Sequence, residues 1–182
     1  AECVPTDKKL LGFSTTFWPF YNHSSDILPY QVAAKMGLRT KNIHAIQTHC
    51  IDTVLPLLTA LLAKMPDVHL IVIPHYVHAP WEDTTLLSEA IDASDIQSRA
   101  TVLKTDMTPQ EHAGIYKALS YAVTVPLHET IMATVAQIPC LQLAYEQKGK
   151  YFFVALGLEH YLMGWKDIQN GDMQHVAWCS WA

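Results

Sequence analysis

Five short polar stretches hold the residue types that move protons and bind anions, and each follows an apolar, strand-like run: Ser14-Thr15-Thr16, His75-Tyr76-Val77-His78, Thr105-Asp106, Pro126-Leu127-His128-Glu129 and Tyr145-Glu146-Gln147-Lys148. In open parallel sheets, ligands bind beyond the carboxyl ends of the strands, so these are the first positions to weigh. His128 and Glu129 open a helix-like segment, where unpaired N–H groups and the positive end of the dipole favour a phosphate or carboxylate. Lys148, following the next strand, adds a positive charge for the same anion. The alternative is a helix-capping His128 and a solvated Lys148. His75 and His78 offer two imidazoles without a supporting Cys or helix, which is too few for a zinc site, so no metal is expected. His44 and His49 fall in a segment of unclear pattern.

Several familiar chemistries lack their residues. There is no G-x-G-x-x-G, Walker lysine loop or G-x-S-x-G, and Ser120 and Ser180 have no evident triad partners. Only seven glycines are present. The four cysteines are isolated, so no C-x-x-C motif forms; free thiols are expected, with Cys140 inside a strand. Asn22-His23-Ser24 matches a glycosylation sequon but reads as a polar loop.

The elements that must position these residues are legible in the hydrophobic pattern. Leu10–Phe13, Val68–Ile73, Thr101–Leu103, Tyr121–Val125 and Cys140–Ala144 read as strands, and the β-branched run at Val68 has the look of one buried on both faces. Apolar spacing predicts helices over Ile51–Met65, with Pro56 in its first turn or two, and over Thr84–Ile91. Thr108-Pro109-Gln110-Glu111 is a capping box with Pro at the first helical position, opening a helix to about Leu119. Further helices are expected over His128–Gln137 and over Lys148–Leu156, the latter closed by a left-handed Gly157. Ser14–Tyr30 reads as a long loop. Strands alternating with helices imply right-handed βαβ units, hence an α/β fold with a Rossmann-like parallel sheet covered on both faces. Residues 8–163 form this domain; 164–182, with three of the five tryptophans, is a tail without clear periodicity.

Composition excludes other classes. Half of the 182 residues are apolar and 16% are charged, which suits a packed domain and argues against disorder. Twelve basic against 17 acidic residues give a net charge of −5, so no field attracts a nucleic-acid backbone. No apolar run approaches the roughly 18 residues of a membrane span, and no signal sequence is visible, so a cytoplasmic location is expected. A start without Met suggests a processed or incomplete product.

The stretch from Thr108 to Leu158 resembles the carboxyl-terminal half of the polysaccharide pyruvyl transferase family. The resemblance rests on Val123-Thr124-Val125-Pro126-Leu127-His128 as a strand and its end, Ile131–Ala136 as a small-residue helix, and Gln137-Ile138-Pro139 as the step into a strand. Tyr145-Glu146-Gln147-Lys148 matches a Tyr-x-x-Lys, and Leu156-Gly157-Leu158 closes the block. Upstream, Val72-Ile73-Pro74 with Asp83, and Thr108-Pro109 with Glu111, fit the same pattern. Pro126 stands where the family has Arg, and Gln137 where it has Gly.

This resemblance implies one half of a GT-B architecture, its amino-terminal domain lying elsewhere, and a role in exopolysaccharide or cell-envelope biosynthesis. The implied reaction moves a pyruvyl group from phosphoenolpyruvate, as donor substrate rather than cofactor, to two hydroxyls of a sugar or glycan acceptor, forming a ketal. It assigns acid–base work to His128 and the donor anion to Lys148. It implies that Glu129, Tyr145, His75 and Asp83 bind substrate in the same cleft. The alternatives are the donor half of a nucleotide-sugar glycosyltransferase and an inactive binding module.

Overall fold

The computed structural model describes residues 4–16, 43–75, 84–144, 147–164 and 167. Six strands, β1 (Lys9–Ser14), β2 (Val68–Val72), β3 (Ala100–Val102), β4 (Tyr121–Thr124), β5 (Cys140–Ala144) and β6 (Leu162–Gly164), form one sheet in the order β3-β2-β1-β4-β5-β6. Every pairing is parallel. The connecting helices are α1 (Ile43–Lys64), α2 (Thr85–Asp92), α3 (Pro109–Ala118), α4 (Leu127–Val135) and α5 (Gln147–Ala155). The expected α/β, Rossmann-like class is therefore observed. All five residues of β2 are buried, as its unbroken apolar run requires of a strand covered on both faces.

Two apolar layers sandwich the sheet. On one side Leu58, Leu61 and Leu62 of α1 and Leu87 and Ile91 of α2 pack on Phe13, Leu70 and Val72. On the other, Tyr116 of α3, Leu119 after it and Ala133 of α4 pack on Ile71, Ile73, Ala122 and Cys140. Gly12 of β1 faces this second layer, and a Cβ there would run into Leu119; the glycine permits the close approach of the chain that follows α3.

Local signals act as expected at several ends. The Thr108 Oγ1 accepts from Glu111 N, and Thr108 N donates to Glu111 Oε2 at 2.9 Å, so the capping box closes with Pro109 first in α3. Gly157 has φ 67°. Cys50 and Cys140 are buried thiols, and burial pushes the Cys140 thiol up to about 12.

Two expectations are corrected. The helix expected from Ile51 begins at Ile43, which puts His49 in a helix and Pro56 in its interior. Pro56 is exposed, so water can reach the carbonyl that its missing N–H leaves unpaired. Where the pattern decays, Leu162–Gly164 adds β6 beside β5; three residues are too few to show a period. Cys3, Asn22, His78, Cys179 and the tail beyond Gly164 other than Asp167 lie outside the described residues. Among the described residues, no helix is long and apolar enough to cross a membrane.

Candidate functional site

The strand order reverses between β1 and β4. From β1 the chain builds outward through β2 to β3, then crosses back to β4 and builds the other way. At such a switch point the connections leaving two neighbouring strands diverge and open a crevice at their carboxyl ends.

Three elements send side chains to this rim. His75 follows β2, His112 lies at the start of α3, and Glu129 in the first turn of α4. The His75 Nδ1 donates to Glu129 Oε1 at 3.0 Å, and His112 Nε2 donates to Glu129 Oε2 at 2.7 Å. One carboxylate, only 3% exposed, thus ties the end of β2 to α3 and α4. The His112 ring stacks on Tyr116 one turn along α3, at 5.7 Å and 8° between planes, and the exposed His128 lies parallel to His75 at 6.4 Å.

Opposing effects set the charges. Burial pushes the Glu129 carboxyl up, but the hydrogen bonds from His112 and His75, with His112's charge and a contribution from Tyr116, outweigh it and bring it down to about 2. The hydrogen bond to Glu129 raises His112 against its own burial. A cation near the amino-terminal end of α3 is disfavoured by roughly 0.3–1 kcal/mol, less than the roughly 1.5–3 kcal/mol of a charge-assisted hydrogen bond, so the ion pair prevails. Burial, followed by the Glu129 charge, pushes the Tyr116 phenol far above its ordinary value.

Beneath the rim runs a buried polar row. Ser14, Thr124 and Gln142 are neighbours in register across β1, β4 and β5. Thr124 Oγ1 shares a 2.7 Å hydrogen bond with Thr130 Oγ1, and Thr130 Oγ1 also donates to Pro126 O, fastening the first turn of α4 to its strand. The Ser14 and Thr15 hydroxyls and Gln142 Oε1 are buried without a hydrogen-bond partner. Gln142 lies against Gly149, where any Cβ would collide with its amide, so α5 sits close over this row.

The sequence-derived candidates distribute unevenly over this geometry. His75, His128 and Glu129 come together. Both Glu129 oxygens are engaged by imidazoles. Lys148 is exposed in the first turn of α5, which follows the neighbouring strand. Tyr145 and Asp83 lie outside the described residues. Pro126, buried, is the N-cap of α4 and provides no side-chain cap. His112 was not anticipated; the usable signal was its place just after the Thr108–Glu111 capping box, with Tyr116 four residues on. Among the described residues, no cluster of three or more His, Cys, Asp or Glu is placed to hold a metal ion. No protein-family model matches the chain, and no curated protein or solved structure matches it.

Proposed function

We propose that this chain is the donor-binding half of a polysaccharide pyruvyl transferase-like enzyme, which transfers the pyruvyl group of phosphoenolpyruvate to a pair of sugar hydroxyls. The observation that carries the reading is the histidine cluster built around Glu129 at the switch point, beside His128. Ketal formation needs a proton donor for the methylene carbon, a base for the attacking hydroxyl, and cations for an anionic donor. A proton adds to the methylene carbon using the C=C electron pair, the hydroxyl oxygen bonds to the adjacent carbon, and phosphate departs with its C–O pair. The second hydroxyl closes the ring. Of the two hydroxyl protons, one balances the new methyl group and the other leaves on phosphate.

His128, exposed at the rim, takes the base role. With Pro126 in place of an arginine, Lys148 and the uncapped first-turn amides of α4 remain for the donor anion. Gln137 adds support of another kind: at the position where the family has Gly, the backbone is left-handed, with φ 59°.

Phosphoenolpyruvate should therefore raise the melting temperature of the chain, since a ligand bound only by the folded state stabilises by about 2.7 kcal/mol at a hundred times its dissociation constant. Lys148→Met should abolish most of that shift while hardly moving the unliganded melting temperature, because an exposed lysine contributes little to folding. Stabilisation by a nucleotide sugar and not by phosphoenolpyruvate would transfer the reading to a glycosyltransferase donor half. No response to either would leave a binding module of another kind.

A further inference from the structure

We infer that Glu129 is a positioning residue that holds His112 as the charged partner of a buried pair and His75 as its Nδ1-protonated tautomer, giving the switch point a proton donor separate from His128. The catalytic meaning of this centre rests on the pyruvyl-transfer reading; its protonation does not.

The geometry carries the inference. An ionised carboxylate only accepts hydrogen bonds, so both contacting nitrogens, His75 Nδ1 and His112 Nε2, bear protons. The His112 contact is the shorter, as expected where both groups are charged. Among the described residues, the groups around the carboxylate are His75 from the end of β2, His112 and Tyr116 from α3, and His128 from α4, with Cys140 of β5 lying beyond Tyr116. The phenol and thiol stay protonated at neutral pH, so Glu129 is the one anion of this group. A single negative charge sheltered from water calls for a single positive partner.

This arrangement divides the labour that the reaction demands. His112 has Nε2 engaged, which leaves Nδ1–H as the proton it can pass to the donor's methylene carbon: the N–H bond breaks, the C–H bond forms from the C=C pair, and a proton released by an acceptor hydroxyl later restores the imidazolium. His128, exposed and outside the pair, receives the proton of the other acceptor hydroxyl and passes it to the departing phosphate. An acid kept charged by a buried carboxylate and a base kept at the solvent edge do not have to exchange roles within one turnover.

The test is histidine side-chain NMR on the full chain labelled with 15N. In the wild type at pH 7, His75 should carry a proton on Nδ1 and His112 on both nitrogens. In Glu129→Gln, which retains the size of the side chain without its charge, the His112 midpoint should fall toward the ordinary histidine range, whereas Glu129→Asp should retain most of its elevation. Wild-type His75 protonated on Nε2 alone would overturn the inference without recourse to any variant, and so would equal His112 titration in wild type and Glu129→Gln. A chain that shows the expected signature but ignores phosphoenolpyruvate would reject the pyruvyl reading and uphold the centre.

Discussion

Gln137 and Gly157 occupy the same station at two helix ends. After α4, Ile138 N donates to Ala133 O and Gln137 N to Thr134 O; after α5, Leu158 N donates to Phe153 O and Gly157 N to Val154 O. Both are Schellman closures, whose turning residue must be left-handed. Gly157 meets that demand at φ 67°, whereas Gln137 does so at φ 59° with a Cβ in place and its side chain exposed. An L-residue loses roughly 1–2 kcal/mol there, partly offset by the greater freedom that Gly loses on folding. Gln137→Gly should therefore stabilise the protein by roughly 0.5–1 kcal/mol, read as a higher urea midpoint; a lower midpoint would mean that the Gln side chain makes a contact worth more than the strain. Gly157 was legible because Gly after an apolar period is a known stop signal. His112 was not, because its meaning lies in Glu129, seventeen residues away in sequence, and in a third group at the end of β2.

At the level of elements, the close of α1 depends on a residue that sequence patterning passes over. Arg99, at the end of the short 3₁₀ turn Gln97–Arg99, donates to the carbonyls of Leu62 and Val68 at 2.8 Å each and to that of Met65. These carbonyls lie in the last turn of α1, in the loop after it and at the first residue of β2, so one guanidinium fastens the α1–β2 corner to the start of β3. A lysine has the charge but not the planar fork. Arg99→Lys should cost roughly 2–3 kcal/mol by leaving partly buried carbonyls unpaired, measured by urea unfolding, while leaving ligand-induced stabilisation unchanged because the corner lies at the amino ends of the strands, away from the carboxyl-end rim that holds the histidine cluster. Loss below about 0.5 kcal/mol would show that water replaces the fork. Strong local codes made other elements readable in advance: the capping box of α3 and the continuous apolar run of β2. The start of α1 was hidden because Pro56 imitates a helix beginning, and β6 because its role comes from pairing with β5.

For the whole molecule, alternation of strands and helices implied a parallel sheet but not its order, since order depends on which strand the β3–α3 crossover returns to. That return beside β1 creates the switch point and draws His75, His112 and Glu129 to one rim. It also links their protonation to folding. Glu129, brought down to about 2 in the fold from about 4.3 in an unfolded chain, contributes stability that is fully present above about pH 4.3 and fades as pH falls toward 2. His112, raised in the fold, contributes stability that is fully present below about pH 6.5 and is lost as pH rises through its folded midpoint. The pair is therefore strongest between about pH 4.3 and 6.5. The total stability curve will not display this directly, because His69, buried in β2 and hydrogen-bonded to Thr101 at 2.9 Å, is lowered by burial and by Lys8 and Arg99. Its contribution runs the opposite way, present above about pH 6.5 and lost as pH falls. Subtracting the stability of Glu129→Gln from that of the wild type cancels His69 and leaves the pair. The difference should peak near pH 5.5, at a magnitude on the order of 3 kcal/mol from the carboxyl shift alone, and shrink on both sides by pH 3 and pH 8. Urea denaturation of both proteins at those three pH values measures it, and a gap independent of pH would show that Glu129 holds the rim by packing rather than by charge.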